Sequence, residues 1–151
     1  MSVVRNTVDN VATRNTMPGP CALCGGHTGT RQRTGWVCAV CGWRYGDSPD
    51  PELPLPRVHV VYYLRFDDRV KIGTSADPRR RLARIRHQEL LAFERGDRVI
   101  EHQRHREFAA AREGGEWFTL TDDIASHVSA LRKLGDPWER YAEWFSQELR
   151  G

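Results

Sequence analysis

Two residue types are nearly missing from this chain. Lysine occurs only at Lys71 and Lys133, against 21 arginines, and no asparagine follows Asn15. Positive charge is therefore carried by planar guanidinium forks, which suit bidentate contact with phosphate or carboxylate better than ammonium groups do. No long apolar run occurs, which excludes a membrane-spanning helix, and no membrane partner is expected. The opening MSVVRNTVDN has neither a basic n-region nor an apolar h-region, so a cytoplasmic protein is expected. No internal repeat is visible beyond one pair of short cysteine motifs.

Outside those motifs cysteine is absent. All four cysteines fall in CALCGGHTGTRQRTGWVCAVCGW, as two C-x-x-C pairs separated by 13 residues and each followed by glycine, Gly25 and Gly42. This is the spacing of a zinc ribbon. Two residues between cysteines let one tight turn aim both thiolates at a common point, and glycine supplies the backbone freedom that such a knuckle needs. A reducing compartment argues against the alternative of paired disulfides. Cys21, Cys24, Cys38 and Cys41 are thus predicted to hold one structural Zn²⁺, with His27 a bystander. Four thiolates leave no open position for water, so no catalysis is assigned to this ion. Trp36, Trp43 and Tyr45 are read as the ribbon's small core, and stacking on bases is the alternative.

Four organisational segments follow. Residues 1–18 lack periodicity and are expected to be disordered, 19–46 form the ribbon, and 47–57, with four prolines in DSPDPELPLPR, form an extended linker. Residues 58–151 form the main domain. Net charge is +1 over residues 1–56, +5 over 57–115 (14 basic against 9 acidic residues) and −3 over 116–151, so the middle is the basic part.

The main domain opens with HVVYYLRF and RVKIGT, two strand-like runs joined at Asp67-Asp68. Asp77-Pro78 starts a helix predicted to run through RRRLARIRHQELL, with Leu82, Ala83 and Ile85 toward the core and a brief strand at LLAF. Arg79, Arg80 and Arg81 then fall in its first turn, where the helix dipole disfavours cations, and this points to an anionic partner. Asp97 caps a second helix, RVIEHQRHREFAAAR, which ends at Gly114-Gly115 and carries Glu101 and His105 on one face. EWFTL is a further strand. ASHVSALRKL and DPWERYAEWFSQEL are two amphipathic closing helices, and the class is α+β with an antiparallel core.

Taken in order, VYYL, VKIG, DPRRRL, the E-x-x-x-H-x-x-F helix (Glu101, His105, Phe108) and GEWF (Gly115 to Phe118) resemble the GIY-YIG endonuclease superfamily. More narrowly, they are similar to its branch of bacteriophage DNA-binding and meiotically up-regulated gene proteins. The resemblance covers about residues 59–120. It implies a three-stranded antiparallel sheet flanked by helices, a phage or mobile-element origin, and hydrolysis of a DNA phosphodiester with one Mg²⁺ or Mn²⁺ ion.

By position, Tyr62 matches the first-motif tyrosine, with Tyr63 as the alternative register. Lys71 stands where the family has its second tyrosine, Arg81 matches the phosphate-contacting arginine, Glu101 the metal carboxylate and His105 a branch-typical histidine. Arg79, Arg80, Arg84 and Arg86 are the accompanying nucleic-acid-binding candidates. Three departures stand out: valine replaces the first-motif glycine, Lys71 replaces tyrosine, and no asparagine is available to close the site. Two functions therefore follow, a metal-dependent DNA endonuclease and a non-catalytic DNA-binding module using the same basic cleft. A protein partner could also dock through the ribbon.

Overall fold

The computed structural model describes residues 15–151, and these fall into two compact units. The first comprises the described residues up to Pro56 together with Ala142–Gly151; the second is Arg57–Tyr141. The predicted disorder of residues 1–14 lies outside the described residues. Residues 15–18 depart from that prediction, because Thr16 bridges Thr28 and Met17 is buried among the cysteines. Met17 N–H also donates to His27 O at 2.9 Å, so backbone bonds and one buried side chain together hold the segment.

In the first unit, β1 (Gly29–Gln32) and β2 (Gly35–Cys38) form an antiparallel hairpin between the two cysteine pairs. The last helix of the chain, Pro137–Arg150, begins in the second unit and ends in the first. Its Ala142 and Leu149 pack against the cluster of Met17, Cys21, Cys38, Cys41 and Trp43. The sequence boundaries assigned all of 58–151 to one domain; the ten C-terminal residues instead help to cover the ribbon, whose own core is too small to bury itself. Trp36 and Tyr45 join that cluster, as expected for ribbon core.

The second unit is α+β. Its sheet has five strands rather than three, all antiparallel. They are β3 (Val60–Phe66), β4 (Arg69–Ser75), β5 (Glu89–Arg95), β6 (Arg112–Gly114) and β7 (Trp117–Thr119), in the order β5-β3-β4-β7-β6. The β3–β4 turn places Asp67 at φ 54°, and Gln88 compensates by bonding both its N–H and its carboxylate. Helix α1 is only Pro78–Leu82, followed by α2 (Arg98–Glu107), α3 (Asp122–Arg132) and the closing α4 (Pro137–Arg150).

The long helix predicted after Asp77 is the main correction. The backbone leaves α1 through turn bonds, and Gln88 N–H already donates to Arg65 O at 2.8 Å, so Glu89–Arg95 becomes a full strand beside β3. Helix propensity is worth only tenths of a kcal/mol per residue and loses to a strand buried along one edge of β3. Of the positions predicted to face inward, Leu82 is buried, Ala83 is exposed and Ile85 lies between.

Alternation along β3 sends Tyr63 and Val61 to one face with Val70, Ile72, Phe108, Phe118, Ile124 and Val128, the main core. Tyr62 goes to the other face, opposite Gly73 on β4 and Phe93 on β5.

Candidate functional site

The pairing of β4 with β7 runs only from Arg69 to Lys71, and one further bond, Ile72 N–H to Glu116 O at 2.9 Å, ends it. Beyond that point the β4 edge is met by side chains of α2 instead of a strand. His105 Nε2 lies 2.8 Å from Ile72 O; since a carbonyl can only accept, Nε2–H is the donor. Thr74 Oγ1–H donates to Glu101 Oε2 at 2.7 Å, and Glu101 Oε1 lies 3.7 Å from His105 Nε2. Glu101 is 7% exposed, and Asp97 caps the helix that carries it by accepting from Val99 N–H. The i, i+4 spacing on α2 thus delivers carboxylate and imidazole to the same stretch of edge.

Tyr62 reaches the same edge from the opposite face. Its ring lies directly over Gly73, where an added Cβ would sit 2.6 Å from Cζ and 2.8 Å from Glu116 Oε2, so only glycine fits between them. Tyr62 is fully buried and its hydroxyl makes no well-formed hydrogen bond among the described residues, although the Arg81 guanidinium stands close enough to act on it; Glu116 Oε2 is likewise buried and without a hydrogen bond. Burial raises the phenol's pKa above the usual tyrosine value, the nearby Arg81 guanidinium opposes that rise, and the charges of Glu116 and Glu101 add to it. Arg81 in turn is pushed up by Tyr62. Lys71 Nζ lies 3.9 Å from Glu116 Oε2 and 5.7 Å from the centre of the Trp117 ring, which Arg69 also overlies at 4.9 Å.

Tyr62, Lys71, Arg81, Glu101 and His105 are therefore gathered about the uncovered end of β4. Tyr63 is not. Its hydroxyl donates to Glu94 Oε1 at 2.7 Å and lies 3.0 Å from His127 Nε2, while Arg104 grips both oxygens of Glu94. Burial alone would raise the Glu94 pKa, but the bonds from His127, Arg104 and Tyr63 outweigh it and hold the carboxyl down at about 2. This network belongs to the core face.

The arginine run divides. With α1 only five residues long, Arg79, Arg80 and Arg81 occupy its last turn as well as its first, so the dipole no longer opposes them. Arg79 lies over the Trp138 ring at 5.0 Å and Arg86 over Phe66 at 5.2 Å, contacts that use both for packing. All five arginines, Arg79, Arg80, Arg81, Arg84 and Arg86, are exposed, and Arg80 and Arg84 overlie no ring among the described residues.

In the first unit the four cysteines converge, their sulfurs all within 4.8 Å of one another. Cys21 Sγ is 3.7 Å from Cys41 Sγ, and Cys24 Sγ is 3.6 Å from Cys38 Sγ; all four are free thiols. The two knuckles are near copies, with Gly25 N–H to Cys21 O at 2.8 Å and Gly42 N–H to Cys38 O at 2.9 Å, and φ of 78° and 79° at the glycines. Burial, with the neighbouring thiols, pushes Cys24 up to about 11 and Cys41 higher still. Four thiolates can share this space only opposite a cation, so the cluster could bind a metal ion.

Sequence reasoning missed Glu116 and Thr74. Glu116 stood within the GEWF motif, yet its approach to Tyr62 depends on where β7 ends against β4. Thr74 carried no signal of its own. No protein-family model, curated protein or solved structure matches this chain. No helix among the described residues is long and apolar enough to cross a membrane.

Proposed function

We propose that this chain is a metal-dependent DNA endonuclease of the GIY-YIG type, with a structural zinc ion in its N-terminal unit. The observation that supports the reading most is the convergence of Tyr62 from β3, Arg81 from α1, and Glu101 and His105 from α2 on one sheet edge. Zinc fits the cysteine cluster. Sulfurs at ~2.3 Å from a tetrahedral centre stand roughly 3.8 Å apart, close to the 3.6 and 3.7 Å observed.

A hard divalent cation fits Glu101, whose Oε2 is fixed by Thr74 while Oε1 lies 3.7 Å from His105 Nε2. One protein carboxylate is a normal complement for Mg²⁺, which keeps several waters and binds phosphate oxygens as well. When bound, such an ion supplies positive charge to the developing phosphoryl oxygens. Arg81 holds a phosphate oxygen beside Tyr62, and Tyr62 or Lys71 accepts the proton of the attacking water. His105 fixes the backbone of Ile72 and, through it, the position of Glu116.

Incubation of plasmid, linear and branched DNA with Mg²⁺ or Mn²⁺, beside Glu101→Ala, tests the reading. Cleavage by wild type that Glu101→Ala abolishes is expected; a wild type that cleaves no form sinks the nuclease assignment. The second reading, a non-catalytic DNA-binding module, is favoured by the exposed Arg80 and Arg84 and the missing asparagine. It predicts binding without cleavage under every metal.

A further inference from the structure

A buried phenol held above its usual pKa keeps its proton at neutral pH, so Tyr62 cannot take a proton from water unless its own has somewhere to go. The structure holds two buried polar side-chain oxygens without hydrogen bonds among the described residues, Tyr62 Oη and Glu116 Oε2, and both flank Gly73. Leaving one such group unbonded costs about 1–3 kcal/mol; the two oxygens do not bond each other at rest, and their common approach to Gly73 leaves a short gap that a small side-chain shift closes for proton transfer.

Resting on the nuclease reading, we infer that Glu116 is the positioning residue for Tyr62, accepting the phenol's proton while the phenol oxygen accepts one from the attacking water. The step balances. A water O–H bond breaks and its hydrogen joins Tyr62 Oη; the Oη–H bond breaks and its hydrogen joins Glu116 Oε2. The hydroxide so formed attacks phosphorus, the scissile P–O bond breaks, and the leaving oxygen takes a proton from solvent, to which Glu116 later returns its own. Lys71 Nζ, 3.9 Å from Oε2, steadies the carboxylate before transfer. The charged groups acting on Tyr62 are Arg81 from α1, Glu101 from α2 and Glu116 ahead of β7.

The test has two readouts on the full chain. First, without added divalent cation, the Tyr62 Cζ resonance, assigned by its loss in Tyr62→Phe, is followed on acidification by ¹³C NMR. It should show an inflection that Glu116→Gln removes and Glu101→Gln leaves in place. An inflection unchanged in Glu116→Gln overturns the pairing. Second, Glu116→Gln should lower kcat by about 100-fold or more with DNA affinity unchanged, and Glu116→Asp should recover part of the loss. A Glu116→Gln enzyme within about threefold of wild type overturns the relay even if the resonance responds. A wild type inactive on every DNA overturns the nuclease reading and the relay together, whereas the NMR result still decides whether Glu116 and Tyr62 are partners.

Discussion

Thr74 Oγ1 donates to Glu101 Oε2 at 2.7 Å, joining the uncovered edge of β4 to the first turn of α2. Thr74→Val keeps the shape but leaves a nine-tenths-buried carboxylate oxygen without its donor. Thr74→Val should cost about 1–3 kcal/mol in denaturant unfolding and raise the Mg²⁺ concentration needed for cleavage, with Thr74→Ser close to wild type. Equal metal dependence in all three proteins would show that the hydroxyl does not orient Glu101.

Gly73 has no room for a methyl group. A Cβ there meets Tyr62 Cζ at 2.6 Å and Glu116 Oε2 at 2.8 Å, so Gly73→Ala must displace one of them. Loss of about 1–3 kcal/mol is expected, read as a lower denaturant midpoint at unchanged slope.

The Glu94 network gives the second unit an acid-sensitive core. Because the folded carboxyl is held at about 2 against an ordinary 4.5, its contribution to stability is fully present above about 4.5 and is lost as pH falls toward 2. Glu94→Gln should therefore be less stable than wild type at neutral pH, by about 2–3 kcal/mol, and the gap should close on acidification. A gap that stays constant down to pH about 2 would mean that another group governs the acid limb.

Metal analysis should give one zinc ion per chain. Chelation should unfold the cysteine-rich hairpin and fray the end of α4, because Ala142 and Leu149 pack on the cluster, while the five-stranded unit keeps its unfolding transition. Intact disulfides with no zinc would refute the site.

Arg80 and Arg84 are the cleanest probes of the proposed DNA contact, being exposed and, unlike the likewise exposed Arg79 and Arg86, not laid over an aromatic ring among the described residues. Replacing both by Ala should weaken binding to all sequences alike and flatten the salt slope by roughly two, about one unit per lost phosphate contact. Arg79→Ala and Arg86→Ala should also cost about 0.5–1 kcal/mol of stability through the lost ring contacts on Trp138 and Phe66. Unchanged affinity at low salt in the double variant would mean a solvated face.

Local chemistry alone determined much of this protein. The knuckles were legible because C-x-x-C-G fixes a turn within five residues, and the β3–β4 hairpin and the Glu101–His105 face followed from periods of 2 and 3.6 that no tertiary contact alters. What only the tertiary structure decided depended on partners distant in the chain. The sequence shows only a brief strand at LLAF, overlapped by a helical pattern, until β3 offers Glu89–Arg95 a full ladder, and the end of α4 looks like part of the main domain until the cysteine cluster offers it an apolar surface. Which of Tyr62 and Tyr63 enters the site could not be read locally, since adjacent strand residues differ only in the face they present, and the face is set by what packs against it. Glu116 is the sharpest case. Its side chain reaches Gly73, the glycine that Tyr62 also overlies, only because β7 pairs with β4 and stops at Ile72.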